Sequence, residues 1–444
     1  MILELERTWR TFHPTWHHFI LIKSITLNVE TSFPTDVANI RSKALLNDTY
    51  DPVARPNETV YVKAGFNLLN IDSLDIKHQS LKIVGWITLE WTDERIQWVP
   101  EDYDSKVEEI HALPSEIWKP EIIIDNSLEN IGVINDDNLQ LIVRYNGDVE
   151  WEPPGLYMTH CEVDITFYPF DRQKCIVELT SWSHTKEQLE LVHLSHEVNT
   201  DNFRLNGEWI LDRTEIDEKE IQETKSDGTI VTFSQLEFVF VLERRPIFYV
   251  VNILLPIVLA SFLSCVVFLL PLQSGEKVTY ILTLILALAV LLTLIADSLP
   301  HTSITASVLG IYLAFTLFIS VISALIAVLL LSNFHSEEDV DIASCFYRFT
   351  KSIATISDRK RCMARPKRGN GRNLRKVVNK VFPNRTIVVE TSDNVGEYED
   401  KVYTRKELSH ILDRFCFWVF FTLICISTVT FFVAMSVGAR NHHT

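Results

Sequence analysis

The chain has 444 residues, 47% hydrophobic and 22% charged, with a net charge of −17 at neutral pH. Four long apolar runs crowd its second half, which excludes a single soluble globule and predicts an integral membrane protein with a large soluble part. The charge is split: 22 Lys+Arg stand against 44 Asp+Glu up to Pro246, whereas residues 333–414 carry 17 basic and 12 acidic side chains.

Residues 1–32 form an N-terminal segment. A secretory signal there would be atypical, because Phe19–Ile22 is too short an apolar stretch and Lys23 interrupts it. Thr35–Asn47 is expected to be a short helix, with Asp36 near its start and Ala38, Ile40, Ala44 and Leu45 apolar. Asn47-Asp48-Thr49 and Asn57-Glu58-Thr59 are glycosylation sequons, so Asn47 and Asn57 are candidate attachment sites if this part is exported. From Val60 to Glu243 the pattern is of short strands. Val60–Leu69, Leu81–Trp91, Leu139–Tyr145, Cys161–Phe167, Cys175–Leu179 and Val231–Leu242 alternate or carry β-branched and aromatic residues. Turn signals separate them, among them Asn146-Gly147-Asp148 and Pro153-Pro154-Gly155. Many short strands without long intervening helices predict an Ig-like β-sandwich over residues 33–246.

Of seven cysteines, only Cys161 and Cys175 precede Pro246. Two cysteines alone in an oxidising compartment are expected to pair. Their ring holds 13 intervening residues, a length for which chain entropy gives roughly 3 kcal/mol. No His cluster or second Cys pair accompanies them, so no metal is expected, and nothing calls for a cofactor.

After Glu243-Arg244-Arg245-Pro246 the apolar runs begin. Spans 1–3 occupy residues 247–332, a cytoplasmic loop 333–414, span 4 residues 415–438, and a short outer tail 439–444. Each run meets the requirement of about 20 residues for a membrane helix. Basic loops stay cytoplasmic, so the acidic N-terminal half and the C-terminus are expected outside. An acidic outer domain would also concentrate cations near a pore mouth. Within the loop, Arg405–Arg414 is helix-prone and leads directly into span 4.

The second run, Ser274–Pro300, has its own pattern. Thr279, Thr283, Leu286, Val290, Thr293 and Asp297 follow a 4-3-4-3-4 spacing, which is one helical stripe. Lipid penalises a polar stripe, so it should face protein or water. Glu276 precedes the run and Asp297 closes it. Several copies around an axis would set acidic rings at the mouths, hydroxyls along a conduit, and Leu286 and Val290 as an apolar constriction. The competing reading is an ordinary buried span whose hydroxyls bond to their own backbone.

The stretch CEVDITFYPFDRQKC (Cys161–Cys175) resembles the signature loop of the Cys-loop receptors, the pentameric ligand-gated ion channels, with its core at Tyr168-Pro169-Phe170-Asp171. Trp91-Thr92-Asp93, Trp98, Trp118-Lys119-Pro120-Glu121, Pro153-Pro154-Gly155, Trp182, Arg244 with Pro246, and Gly275-Glu276-Lys277 extend the likeness to the nicotinic acetylcholine receptor pattern. The resemblance implies five subunits, agonist sites between adjacent outer domains and gating through the domain junction. Gly275-Glu276-Lys277 looks like the cation-selective type, with Leu286 as the hydrophobic gate. Asp75, Tyr168–Asp171, Arg244 and the Leu299–Ser303 connection, Pro300 included, would lie at the coupling interface. Ile76 stands where nicotinic subunits carry a coupling glutamate.

By the same resemblance, Trp182 matches the central tryptophan of the agonist cage, Trp86 the one from the neighbouring subunit, and Phe233 the second aromatic of the capping loop. An aromatic cage holds a quaternary ammonium because ring faces attract cations. Asp125 stands where agonist-binding subunits have tyrosine, and Thr224–Phe233 lacks the adjacent cysteine pair. Glu150 and Glu152 add carboxylates on the complementary side. These departures favour an amine with N–H groups, which a carboxylate can accept.

The sequence therefore reads as a subunit of a cation-selective, nicotinic-like channel in the plasma membrane, at a synapse in keeping with that family. Its expected partners are an amine agonist, four further subunits, membrane lipid and permeating monovalent cations, with calcium as a further candidate and no nucleic acid. Two rivals stand beside it: an accessory subunit that needs a partner, and a non-conducting binding or scaffold protein. An enzyme is disfavoured, since no nucleophile elbow, phosphate-binding glycine loop or metal-ligand spacing occurs.

Overall fold

The computed structural model describes residues 32–46, 49–129, 134, 138–300, 306–335 and 405–441. Asn47, residues 301–303 and the loop through residue 404 lie outside the described residues. The chain divides into two compact units: one runs to Phe248 and takes in Asp297–Ser307 and Gly438–Thr444, and the other holds Tyr249–Ala296 and Val308–Val437.

The first unit opens with helix α1 (Ser32–Ala44), which buries Ile40 and Ala44. Its Arg41 grips both oxygens of Glu116 at 2.6 and 2.8 Å. Eleven strands follow among the described residues: β1 (Val60–Asp75), β2 (Ser80–Thr92), β3 (Glu109–Ala112), β4 (Ile123–Ile124), β5 (Leu141–Arg144), β6 (Asp148–Trp151), β7 (Pro154–His160), β8 (Arg172–Thr180), β9 (Leu189–His193), β10 (Trp209–Thr224) and β11 (Ile230–Arg244). Seven make one sheet, ordered β3-β5-β6-β2-β1-β9 with β7 paired to β2, and four make the other, ordered β10-β11-β8-β4. Alternation along β2 and β8 turns one side of each strand inward. The core between the sheets centres on Phe66, whose ring meets Tyr157 at 5.4 Å and both Phe238 and Phe240 at 5.6 Å. Aromatic packing of this kind adds to the area it buries.

Two expectations change. Cys161–Phe167, expected as a strand, is a looped segment ending in turns. Asp164 Oδ1 accepts from the Thr166 N–H at 2.9 Å and its hydroxyl at 2.6 Å, and Gln173 both donates to and accepts from the Asp164 backbone at 2.9 Å. Side chains thus satisfy backbone groups that a neighbouring strand would otherwise take. Conversely, β10 is a long strand over a stretch absent from the expected strand segments. It pairs with β11 from Trp209↔Arg244 to Thr224↔Ile230.

Among the described residues, four helices are long and apolar enough to cross a membrane: α2 (Ile247–Leu269), α3 (Lys277–Ser298), α4 (Val308–His335) and Lys406–Gly438 within α5 (Arg405–Asn441). Helix α2 widens to a π turn at Val250–Leu254, just ahead of Pro256. Proline offers no N–H to the turn before it, so the ladder re-registers there. The segment Arg405–Arg414 and the fourth span form one unbroken helix, as its propensity predicted. Phe268 stacks on Phe420 at 5.2 Å, inside a cluster with Leu272, Ile281, Leu330 and Leu412.

Candidate functional site

The residues expected to hold an agonist fall into two groups, one on each sheet. On the four-stranded sheet, Gln235 pairs with Thr180. Phe233 lies two residues before Gln235 on β11, and Trp182 two residues past Thr180, in the bend where the pairing has ended. Trp182 is 63% exposed, an unusual amount of free aromatic surface beside a packed sandwich. Ser183 donates to Glu121 and lies 2.8 Å from His184 Nδ1. Burial holds the His184 pKa down, helped by the Arg55 cation and opposed by Glu121. Asp125 lies alongside Glu178 of β8, four residues before Trp182. Its N–H donates to the Glu178 carbonyl at 2.9 Å, and its side chain is exposed. Glu178 lies directly across the ladder from Glu237. Burial pushes its carboxyl above the ordinary range, reinforced by Glu237 and Asp125. Sequence inspection missed this acidic row, because it emerges only once the strands are in register.

On the seven-stranded sheet, Trp86 pairs with Asn67 of β1 and Pro154 of β7. Its indole Nε1 donates to Glu152 Oε1 at 3.1 Å, and the Thr88 hydroxyl donates to the same oxygen at 2.8 Å. Asn67 Nδ2 in turn donates to the Thr88 oxygen at 2.8 Å. Glu152 is thereby oriented while it stays exposed. Glu150 differs, since the Arg144 guanidinium holds it in an ion pair. Of the two carboxylates expected on this side, Glu152 is exposed and Glu150 half-buried. The tryptophans Trp91 and Trp118 are buried core, packed edge-to-face at 6.2 Å.

Cys161 and Cys175 form a disulfide with Cα atoms 4.9 Å apart. Within the loop it closes, the Tyr168-Pro169 peptide is cis. Tyr168 and Asp171 are buried and Phe170 half-buried. Asp171 receives Arg244, whose Nε and Nη2 reach its two oxygens at 2.8 and 3.1 Å. Arg244 Nη1 reaches Glu208 at 2.6 Å, and its guanidinium lies over the Trp209 and Tyr168 rings at 4.1 and 5.2 Å. Gln173 Nε2 donates to Asp171 Oδ2 at 2.6 Å. Only the forked, planar guanidinium can satisfy so many partners at once. Asp75 is exposed and holds His78 through both its N–H and its ring, at 3.0 and 2.7 Å. Pro300, just past α3, is buried.

The stripe on α3 is the clearest placement. Glu276, Thr279, Thr283, Leu286, Val290, Thr293 and Asp297 are all exposed, whereas Lys277, Ile281, Leu288 and Ile295 are buried. At about 3.6 residues per turn, these sets lie on opposite sides of the helix. Tyr280, the residue that breaks the stripe, donates to the Leu263 carbonyl of α2 at 3.0 Å. Thr283 and Thr293 donate to their own backbone at 2.8 Å, which leaves each hydroxyl oxygen able to accept from the exposed side. Gly275 has φ +69, a left-handed turn that lets the chain swing from α2 into α3.

Comparison with known proteins agrees with this architecture. Residues 40–246 match the neurotransmitter-gated ion-channel ligand binding domain, and residues 253–410 the neurotransmitter-gated ion-channel transmembrane region. The chain belongs to this family. It is a family of ligand-gated channels, not of enzymes. Among its relatives, neuronal acetylcholine receptor subunit alpha-4 of Homo sapiens is 33% identical over 287 residues, covering 64% of this chain and 44% of that protein. Subunit alpha-2 of Gallus gallus is 32% identical over 284 residues, covering 64% and 53%. Subunit alpha-3 of Rattus norvegicus is 30% identical over 286 residues, covering 64% and 56%. The matched segment thus spans about half the length of each relative.

Proposed function

We propose that the chain is one subunit of a pentameric, cation-selective channel opened by a small amine. The observation that carries this reading is the α3 stripe, exposed along its whole length while Lys277, Ile281, Leu288 and Ile295 are buried on the opposite face. Five such helices around an axis would gather Thr279, Thr283 and Thr293 into a hydrophilic path with Leu286 and Val290 as the gate. Glu276 and Asp297 would supply carboxylate rings at its two mouths. Residues 33–246 would lie outside with the agonist, Asn57 open to glycosylation, and the basic 333–414 segment inside. Residues Asp75, Tyr168–Asp171, Arg244 and Pro300 would couple binding to gating.

The agonist site would form between neighbours, Trp182 and Phe233 of one subunit meeting Trp86 and Glu152 of the next. The separation of these groups onto two sheets supports that division. An accessory role has its own support. The face with Trp86 and Glu152 is fully organised, while the opposite face carries Asp125 in place of an aromatic. A non-conducting scaffold has less, because it has no use for the exposed hydroxyl stripe.

The test is electrical. The chain is expressed alone in oocytes and challenged with acetylcholine, choline, biogenic amines, amino acids and protons, while external sodium is replaced. A current whose reversal follows sodium is expected, and one that follows chloride would refute the role of Glu276. Silence with protein at the surface would favour the accessory role. Leu286→Thr, which weakens the proposed gate, should then give a standing cation current.

A further inference from the structure

Lys277 is the first residue of α3, beside the exposed Glu276, yet its side chain is only 1% exposed. Its Nζ reaches Asp413 Oδ1 of α5 at 2.6 Å across 136 residues of sequence. The Phe268 ring lies 5.8 Å from the ammonium, and Leu412 and Cys416 belong to the same buried cluster. The arrangement is a poor choice for stability. A lysine at a helix N-terminus meets the positive end of the helix dipole, and burying an ammonium costs desolvation that one carboxylate only partly offsets. Asp413 is itself buried, so neither charge has solvent to fall back on. What the pair does achieve is direction. It draws the lysine charge onto the packed face with Ile281, Leu288 and Ile295, while the neighbouring Glu276 keeps the exposed face.

We propose that Asp413 is a positioning residue for ion selection: it holds the Lys277 ammonium off the conduction path, so that the Glu276 carboxylates act there unopposed. The inference rests on the cation-channel reading above. A released lysine is one residue from Glu276 on a stem long enough to reach the same mouth. Five released lysines would cancel five carboxylates, removing the field that gathers cations. The helix that carries Asp413 need not touch the pore to act on it.

The test uses the full chain, alone or with whichever partner makes it conduct. Asp413→Asn should lower single-channel sodium conductance about twofold or more and move the reversal potential toward chloride. Lys277→Met on that background should restore both, because no cation is left to misplace. A merely structural Asp413 predicts instead that the double variant stays as impaired as the single one, which would overturn the proposal. So would wild-type conductance and reversal in Asp413→Asn. Should Asp413→Asn fail to reach the surface, cysteine scanning with a positively charged methanethiosulfonate reagent decides. Glu276→Cys should be modified with loss of current and Lys277→Cys should not; equal modification would overturn the inference. A wild-type current carried by chloride would refute the cation-selective reading itself, whereas a sodium current untouched by Asp413→Asn refutes only this one.

Discussion

Among the described residues, each unit of the molecule fully buries one cation against an aspartate, and they do it differently. In the sandwich, Arg244 is spread over Asp171, Glu208 and two aromatic rings, and Asp171 is steadied by Gln173. In the helical unit, Lys277 has one carboxylate, at 2.6 Å. A network with several partners fixes the geometry of everything it joins. A single contact between two point charges fixes only where one charge sits. The Arg244 cluster joins the last strand, β11, to the disulfide-closed loop and to the turn before β10. It is built to hold a shape. The Lys277 pair is built to place a charge.

The strongest way to break this contrast is at Arg244. Arg244→Ala leaves Asp171 buried without its partner, which should cost about 3–5 kcal/mol. Thermal unfolding of detergent-solubilised protein should register a clear drop, with poor delivery to the cell surface. Arg244→Lys keeps the charge but loses the fork, so it should recover only part of that loss. Full recovery by lysine would mean that charge alone matters there, and that the two pairs are alike.

A smaller effect distinguishes Glu152 from Glu150 at the proposed agonist face. Trp86 and Thr88 orient Glu152, while Arg144 occupies Glu150. Under the amine reading, Glu152→Gln should weaken agonist potency by roughly 1–2 kcal/mol, the worth of a charge-assisted hydrogen bond. Glu150→Gln should change it far less. Dose–response curves with equal shifts would remove the distinction, and no shift in either would remove the carboxylates from agonist recognition.

How much of this was legible in the sequence depended on the range of the interaction. The α3 stripe was readable because its signal lies within one helix, where hydroxyls at 4-3 spacing stand out against leucine. The disulfide was readable from cysteine placement alone. Strand β10 was not, since its outward side chains include Asp217, Glu220 and Glu223 and its pairing depends on β11. The Lys277–Asp413 contact was out of reach, because nothing near Asp413 marks it as facing a lysine so far away in sequence. Tryptophans posed the same difficulty: Trp151 and Trp209, at the ends of strands, are buried, and Trp182, in the bend after β8, is not.

The smallest expected effect concerns the acidic row on the sheet of the proposed agonist face. Glu178 and Glu237 stand directly opposite on β8 and β11, an arrangement in which like charges destabilise a sheet. Lys219 relieves part of this by pairing with Glu237 at 2.7 Å. Folding raises the Glu178 pKa, through burial first and then Glu237 and Asp125. A carboxyl with a raised folded pKa favours the folded state when protonated, so its penalty grows as pH climbs from the unfolded value through the folded one. Glu178→Gln should therefore stabilise the protein at neutral pH by about 0.5 kcal/mol, the scale of one cross-strand pair. That advantage should shrink below about pH 4, where carboxyls in the unfolded chain are protonated too. Unfolding temperatures of the two proteins across that range supply the check. A Glu178→Gln variant that is less stable at neutral pH would mean that the Glu178 carboxylate is held by attraction. The acidic row would then be part of the scaffold, as the Arg244 cluster is.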